Sequence, residues 1–320
     1  MSRRRPPSAR RGGSAAASRA RACPPSRARS RAGTRAAAFA AVLAAAVPTA
    51  GGCAGDGTSG ASAGAPPPRH LVAEVVAEHP FAASWFTQGL ELRDGDLLVG
   101  TGLRGESALR VVRDPLGSPA VAAERVLPAD HFGEGVTAVG DEVWQLTWTA
   151  GVAHRFRGPD LSPAGIARYD GEGWGLCHLP SSGALVMSDG SDRLTLRDPA
   201  DFSVRGAVDV VRGDGGETDD LNELECVERA DLPAGAADLA GVWANRWRTE
   251  EILLVDPATG AAAAVADASA LRDRLPEDAR AGADVLNGIA HVPGTDRFLL
   301  SGKLWPTLFE VRFRPAESGR

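Results

Sequence analysis

From His70 onward the apolar residues keep almost no 3.6-residue period; only Val265–Arg274 carries one, and it predicts a short surface helix. The rest of the chain repeats one short unit. It opens on a segment built around glycine or glutamate: Gln88-Gly89-Leu90-Glu91-Leu92, Glu134-Gly135-Val136-Thr137, Gly173-Trp174-Gly175-Leu176, Leu221-Asn222-Glu223-Leu224-Glu225 and Leu286-Asn287-Gly288-Ile289-Ala290. Most of these run into a turn such as Arg93-Asp94-Gly95-Asp96, Gly140-Asp141 or Pro293-Gly294-Thr295-Asp296, where Gly and Asp reverse the chain. An apolar strand follows, at Leu97–Gly100, Val143–Thr147, Ala184–Met187, Gly241–Ala244 and Phe298–Ser301. Outer strands such as Leu194–Leu196 and Ile252–Val255 complete the unit.

With Gly89, Gly135, Gly175, Glu223 and Gly288 as markers, the units are spaced by 46, 40, 48 and 65 residues. About forty residues of short strands and turns per unit is the signature of a propeller blade. The Ala/Asp/Arg-rich stretch 259–283 fills the longest gap. The pattern predicts an all-β fold, a five-bladed β-propeller over residues 70–316, with His70–Phe81 closing the ring against the last blade. A β-sandwich would not explain the fixed order of motif, turn and apolar strand.

Residues 1–52 differ. They hold eleven arginines and no acidic residue, with the apolar run Ala36–Val47 before small residues. That is the layout of an export signal, too short to stay in a membrane as a spanning helix. The segment Thr49-Ala50-Gly51-Gly52-Cys53 resembles a bacterial lipoprotein cleavage site, although Ala50 stands where Leu is usual. The expectation is an exported protein, either a cell-surface lipoprotein touching the membrane only through a lipid on Cys53 or a plainly secreted one. Residues 53–69, mostly Gly, Ser and Ala and then Pro66-Pro67-Pro68, read as a flexible tether. Beyond the leader stand 24 basic and 41 acidic residues, a net charge near −17. That charge argues against nucleic acid as a partner and for a soluble, self-repelling monomer. Cys177 and Cys226 form an even pair in an oxidising compartment; two buried thiols are the first reading and a disulfide the alternative.

Scarcity then singles out residues. Of 35 basic side chains, 34 are Arg and one is Lys303. Arg replaces Lys on a solvated surface at almost no cost, but not where a compact ammonium of adjustable pKa is needed. Gln88, Gln145, Asn222, Asn245 and Asn287 are the only neutral amides, and all fall in the repeated motifs. Segments that open propeller blades line a central channel, so these groups are expected at one mouth, as donors toward a substrate carbonyl. For Asn245 and Asn287 blade-to-blade packing is the stronger expectation. Glu134, between Gly133 and Gly135, gains close backbone approach and an open lobe. Among tryptophans such as Trp148 and Trp174 it would be desolvated, with a pKa raised toward that of a general acid/base. Asp189 reads as a turn residue, and Glu223 or Glu225 as a group orienting a neighbour. The match Gly60-Ala61-Ser62-Ala63-Gly64 lies in the tether, outside any strand–turn–helix, and is no nucleophile elbow. No phosphate-binding glycine loop occurs, and the six histidines lack metal-ligand spacing.

The segments Phe86-Thr87-Gln88-Gly89-Leu90, Gly133-Glu134-Gly135-Val136-Thr137, Gln145-Leu146-Thr147-Trp148 and Gly173-Trp174-Gly175-Leu176 follow one another in the chain. They continue with Ser188-Asp189-Gly190-Ser191, Asn222-Glu223-Leu224-Glu225, Val242-Trp243-Ala244-Asn245, Leu286-Asn287-Gly288-Ile289-Ala290 and Gly302-Lys303-Leu304-Trp305-Pro306. In that order, over roughly residues 75–313, the chain resembles the plant and bacterial type of glutaminyl-peptide cyclotransferase, also called glutamine cyclotransferase. The resemblance implies a five-bladed propeller that converts the N-terminal glutamine of peptides and proteins to pyroglutamate with release of ammonia, without cofactor or catalytic zinc. Carried over by motif, Glu134 is the catalytic acid/base, and Gln88, Asn222 and Lys303 position or polarise the substrate amide. Phe132, Trp148, Trp174 and Trp243 are the implied aromatic wall.

Arg104 stands where Tyr is common, Thr149 where Lys often follows Thr-Trp, and Arg246-Trp247 alters the stretch after Asn245; these rim positions bear on substrate preference more than on the reaction. Two other readings stay open at this point. One is a non-catalytic propeller that binds peptides or envelope components at the same mouth. The other is a lactonase-like, metal-dependent hydrolase holding its ion with Glu134, Asn222 and Asn287.

Overall fold

Strand β1 (Arg69–Pro80) runs beside the last strand of the chain, and the sheets between them follow the repeated unit. The computed structural model describes residues 64–317. The leader, Cys53 and most of the tether, with the export and lipid-anchor expectations that rest on them, lie outside the described residues.

Three sheets are four-stranded and antiparallel, their strands paired in chain order. The first holds β2 (Thr87–Arg93), β3 (Asp96–Thr101), β4 (Ala108–Arg113) and β5 (Ala120–Val126). The second holds β6 (Gly133–Val139), β7 (Glu142–Thr147), β8 (Val152–Arg157) and β9 (Ser162–Arg168). The third holds β10 (Leu176–Leu179), β11 (Ala184–Met187), β12 (Arg193–Arg197) and β13 (Val204–Asp209). A fourth, eight-stranded sheet combines two antiparallel groups. One is β14 (Leu221–Val227), β15 (Gly241–Arg246), β16 (Glu251–Val255) and β17 (Ala262–Asp267); the other is β18 (Leu286–His291), β19 (Arg297–Gly302), β20 (Thr307–Pro315) and β1. The parallel pairing of Arg69–Val72 with Ala264–Asp267 joins them. The fold is therefore all-β, and its N-terminal strand completes the group that the C-terminal strands begin.

The first strands of the groups, β2, β6, β10, β14 and β18, pack side by side in cyclic order, with β18 returning to β2. The marker glycines explain how they come so close. The Gly135 N–H donates to the Trp174 carbonyl at 2.7 Å, and a Cβ at Gly135 would lie 2.5 Å from the Leu176 nitrogen. A Cβ at Gly175 would lie 2.0 Å from the Asn222 carbonyl oxygen. Only a residue without a side chain lets neighbouring backbones approach this way.

Apolar residues of the inner strands fill the spaces between groups, as where Leu90, Leu97 and Val99 meet Ala290, Leu299 and Leu308. Each such buried Leu or Val contributes about 1.5–3 kcal/mol relative to exposure. The outermost strands β5, β9 and β13 alternate between exposed and half-buried positions instead. Buried carboxylates add polar ties. Glu223 accepts the Leu90 N–H of β2 at 3.0 Å and the Ile289 N–H of β18 at 2.7 Å. Glu225 accepts the His291 N–H at 2.7 Å, and Glu91 of β2 accepts the Ala138 N–H and the Thr137 hydroxyl of β6. Burial pushes all three carboxyls up, Glu91 to about 7.

Two expectations need correction. Val265–Arg274 is not one helix: Val265–Asp267 ends β17, and only Ala270–Arg274 forms a helical turn, α1. In β17 both faces are buried, Ala264 and Ala266 on one side and Val265 on the other, which hides the two-residue period of a strand. Cys177 and Cys226 are not free thiols. They form a disulfide with Cα atoms 5.3 Å apart, because β10 and β14 are neighbours in the ring of first strands.

Candidate active site

Four of the first strands have irregular register near their starts: between Thr87 and Gly89, Gly133 and Val136, Leu221 and Leu224, and Leu286 and Ile289. Those breaks contain Gln88, Glu134, Asn222 and Asn287. A bulge leaves a residue unpaired and re-aims its side chain, so the same irregularity, repeated round the ring, turns polar groups out of the sheets toward one end. Lys303 arrives from the loop after β19, where Leu304 holds a left-handed φ of 62° and the Lys303 N–H donates to the Val285 carbonyl at 2.9 Å.

There a cavity of about 410 Å³ opens. Gln88, Glu134, Asn222 and Lys303 supply its polar side and are all buried; Phe86, Phe132, Trp148, Trp174 and Trp247 supply its aromatic side. Arg248, Asp284 and Val285 complete the lining.

The Glu134 carboxylate is asymmetric. Its Oε1 accepts from the Gln88 amide nitrogen at 3.0 Å, while Oε2 is buried without any partner. Gln88 is itself fixed, its Oε1 accepting from Asn287 Nδ2 at 2.8 Å. Burial pushes the Glu134 carboxyl well above the ordinary carboxylate range; the Lys303 charge works against that and the Glu172 charge adds to it. Burial likewise lowers the Lys303 ammonium, opposed by Glu134 and Asp284. Its Nζ lies 5.0 Å from the centroid of the Phe86 ring. The Asn222 side-chain oxygen is buried and unpartnered too. Unsatisfied buried polar atoms are costly unless something else meets them, and a substrate that brings N–H donors would meet these two acceptors. The arrangement can hold a small polar group, accept a proton at Glu134 Oε2, and place a cation beside a carbonyl.

The walls brace one another. Phe132 packs edge-on to Phe86 at 6.1 Å and inclined by 67° to Trp148 at 5.7 Å; Trp174 meets Trp247 edge-on at 5.4 Å. One carboxylate oxygen, Oε2 of Glu172, accepts both the Trp148 indole N–H at 2.5 Å and the Trp174 indole N–H at 2.9 Å.

The candidates Gln88, Glu134, Asn222, Lys303, Phe132, Trp148 and Trp174 thus meet in one cavity. Trp243 does not. It is fully buried in β15, stacked on Phe313 at 4.4 Å, with its indole N–H donated to the Leu239 carbonyl. The physical reason is strand alternation: Val242 and Ala244 face one inter-sheet core and Trp243 the other. Trp247, just past the strand's end, lines the cavity in its place. Trp144 and Trp305 are also core residues. Gln145 donates to the Ala108 carbonyl, and the Asn245 oxygen accepts the Gly288 N–H, so these two amides serve packing between groups. Asp189 closes a local turn through Ser191. Motif reasoning missed Phe86, Trp247 and Glu172 as site residues. Phe86 opens a quoted motif and Trp247 figures in the sequence reading only as a rim position, so both were within reach; nothing local marks Glu172, whose role depends on indoles from two loops.

Comparison with known proteins points the same way. The glutamine cyclotransferase family profile matches residues 45–313. Glutaminyl-peptide cyclotransferase of Arabidopsis thaliana is 32% identical over 247 residues, covering 77% of this chain and 72% of that protein. The crystal structure of Myxococcus xanthus glutaminyl cyclase superposes with a TM-score of 0.66 at 37% identity, covering 78% of this chain and all of the other. The chain belongs to the glutamine cyclotransferase family.

Proposed function

We infer that this cavity is where the chain, a glutaminyl-peptide cyclotransferase, folds an N-terminal glutamine back on itself and closes it to pyroglutamate with loss of ammonia. The observation that carries the reading is the buried, unpartnered Oε2 of Glu134 beside Lys303 in an aromatic cavity. The substrate brings its own nucleophile: the α-amine nitrogen bonds to the γ-carboxamide carbon. Its proton passes to Glu134 Oε2 and from there to the amide nitrogen, which leaves as ammonia when the carbon–nitrogen bond breaks. The oxygen that carries negative charge in between is met by Lys303 and the Asn222 amide. Gln88 and, behind it, Asn287 hold Glu134 in place. The aromatic side excludes extended conformers of the glutamine side chain, which shortens the search for ring closure. None of these steps calls on a metal.

The four-stranded groups read best as the five blades of a propeller, with β1 completing the fifth; the cyclic packing of β2, β6, β10, β14 and β18 supports this. A peptide-binding protein without activity would gain nothing from a buried carboxylate oxygen left unpaired. The lactonase-like reading needs Asn287 beside Glu134 and Asn222, yet Asn287 does not line the cavity that those two share; it stands behind Gln88.

The test follows ammonia release from a glutaminyl peptide by the purified mature protein, with and without chelator. Release that survives chelator supports the reading. Silence from the wild-type protein overturns it, and loss with chelator restores the metal-dependent alternative.

A further inference from the structure

We propose that the cavity mouth reads the residue after the cyclising glutamine and favours a carboxylate there, through Arg248 with Arg104 in support. The inference rests on the cyclotransferase reading and extends it to substrate choice.

The groups assigned to the glutamine are buried, whereas Arg248 lines the same cavity and is exposed. Once glutamine occupies the polar side, the chain that follows must leave past the exposed residues. The Arg248 guanidinium lies 3.8 Å from the centroid of the Trp247 ring, stacked on the wall. It has no hydrogen bond or ion pair among the described residues. Its neighbour Arg246 is the contrast, spending its guanidinium on Glu217, Asp219 and Glu251. Arg248 also holds a left-handed φ of 65° in a turn closed by the Thr249 N–H on the Arg246 carbonyl. A long side chain in that conformation costs about 1 kcal/mol or more.

A second arginine repeats the arrangement on another indole of the wall. Arg104 lies 5.7 Å from the centroid of the Trp148 ring, hydrogen-bonded to the Thr149 hydroxyl and the Asp130 carbonyl but to no carboxylate. The acidic groups nearby are already engaged. Asp284 accepts the Val285 N–H at 2.7 Å and faces the charge of Lys303; Glu172 holds two indoles. The charge left over at the mouth is positive, on a mature chain that is strongly acidic elsewhere. Two carboxylate sources fit: an Asp or Glu side chain at the second position, or the C-terminus of a dipeptide.

The experiment measures kcat/KM for ammonia release from Gln-Glu-Ala-amide, Gln-Ala-Ala-amide, Gln-Lys-Ala-amide, Gln-Ala-amide and Gln-Ala with a free carboxylate. An exposed ion pair of this kind is expected to favour Glu over Ala by about two- to fivefold at low salt, with Lys poorest. Arg248→Gln should bring the Glu-to-Ala ratio close to one, and Arg248→Glu should invert the Glu-to-Lys order. Arg248→Asn, at ease in a left-handed turn, gives the same ratio test should the first variants fold poorly. A gain confined to free Gln-Ala assigns the site to a chain terminus, and a gain confined to Gln-Glu-Ala-amide assigns it to an internal acidic residue. Equal efficiency on all peptides, or ratios unmoved in the Arg248 variants, overturns the inference and leaves the cyclotransferase reading intact. Absence of ammonia from every peptide overturns both.

Discussion

Glu134 in β6 and Glu223 in β14 stand two places apart in the ring of first strands, both buried, both with carboxyls pushed up by desolvation, and their surroundings differ. Glu223 spends each oxygen on a backbone N–H, one from β2 and one from β18, and so ties the ring. Glu134 spends one oxygen on Gln88 and leaves the other without a partner at the cavity. On the proposed function, a raised pKa does not separate the catalytic carboxylate from the structural one; unmet hydrogen-bonding capacity does. Among the described residues Glu134 is the one carboxylate with a buried, unpartnered oxygen.

The sharpest way to break the comparison is Glu134→Gln. The amide keeps an acceptor for Gln88 but cannot take the amine proton, so kcat should fall about a hundred- to ten-thousand-fold, while the melting temperature stays within a few degrees of wild type. Steady-state kinetics beside thermal melting checks both halves. Next in size is Lys303→Arg, which conserves charge but not the compact, adjustable ammonium; a loss of about ten- to a hundredfold in kcat is expected. An unaffected enzyme would remove Lys303 from the mechanism.

Two tryptophans extend the contrast between core and cavity. Trp243→Ala should cost about 3–5 kcal/mol of stability in denaturant titration, with KM of the folded enzyme little moved. Trp247→Ala should do the reverse, raising KM by up to about tenfold at small cost in stability.

The smallest effect concerns Glu91, whose carboxyl is raised in the folded state to about 7. The folded protein then binds this proton more tightly than the unfolded chain does. Its contribution to stability is full below the unfolded value near 4.5 and lost as pH rises through about 7. Comparing wild type with Glu91→Gln isolates it from histidines that titrate the other way, such as His154, lowered to about 4. The melting-temperature advantage of wild type over the variant should be larger at pH 5 than at pH 8.

How much of this was legible in the sequence depends on whether the cause is local. Turn chemistry and apolar runs placed the second strands β3, β7, β11, β15 and β19 close to their observed bounds, because those signals lie within each strand. Scarcity in an Arg- and Ala-rich chain led to Lys303, Gln88 and Asn222, and two flanking glycines marked Glu134. Trp243 was misplaced because a motif fixes a residue's position in the chain, not the face it takes across a strand. The disulfide and the double indole contact of Glu172 depend on groups brought together only by the ring of first strands.

The central claim, that an unmet oxygen and not a raised pKa marks the working carboxylate, is tested most directly by measuring turnover and melting temperature for Glu134→Gln and Glu223→Gln side by side. The account predicts a crossed result. Glu134→Gln loses turnover and keeps its melting temperature; Glu223→Gln sets an amide N–H against a backbone N–H, loses about 2–3 kcal/mol of stability, and keeps turnover within a few-fold while folded. Near-wild-type turnover in Glu134→Gln, or catalytic loss without destabilisation in Glu223→Gln, would contradict it.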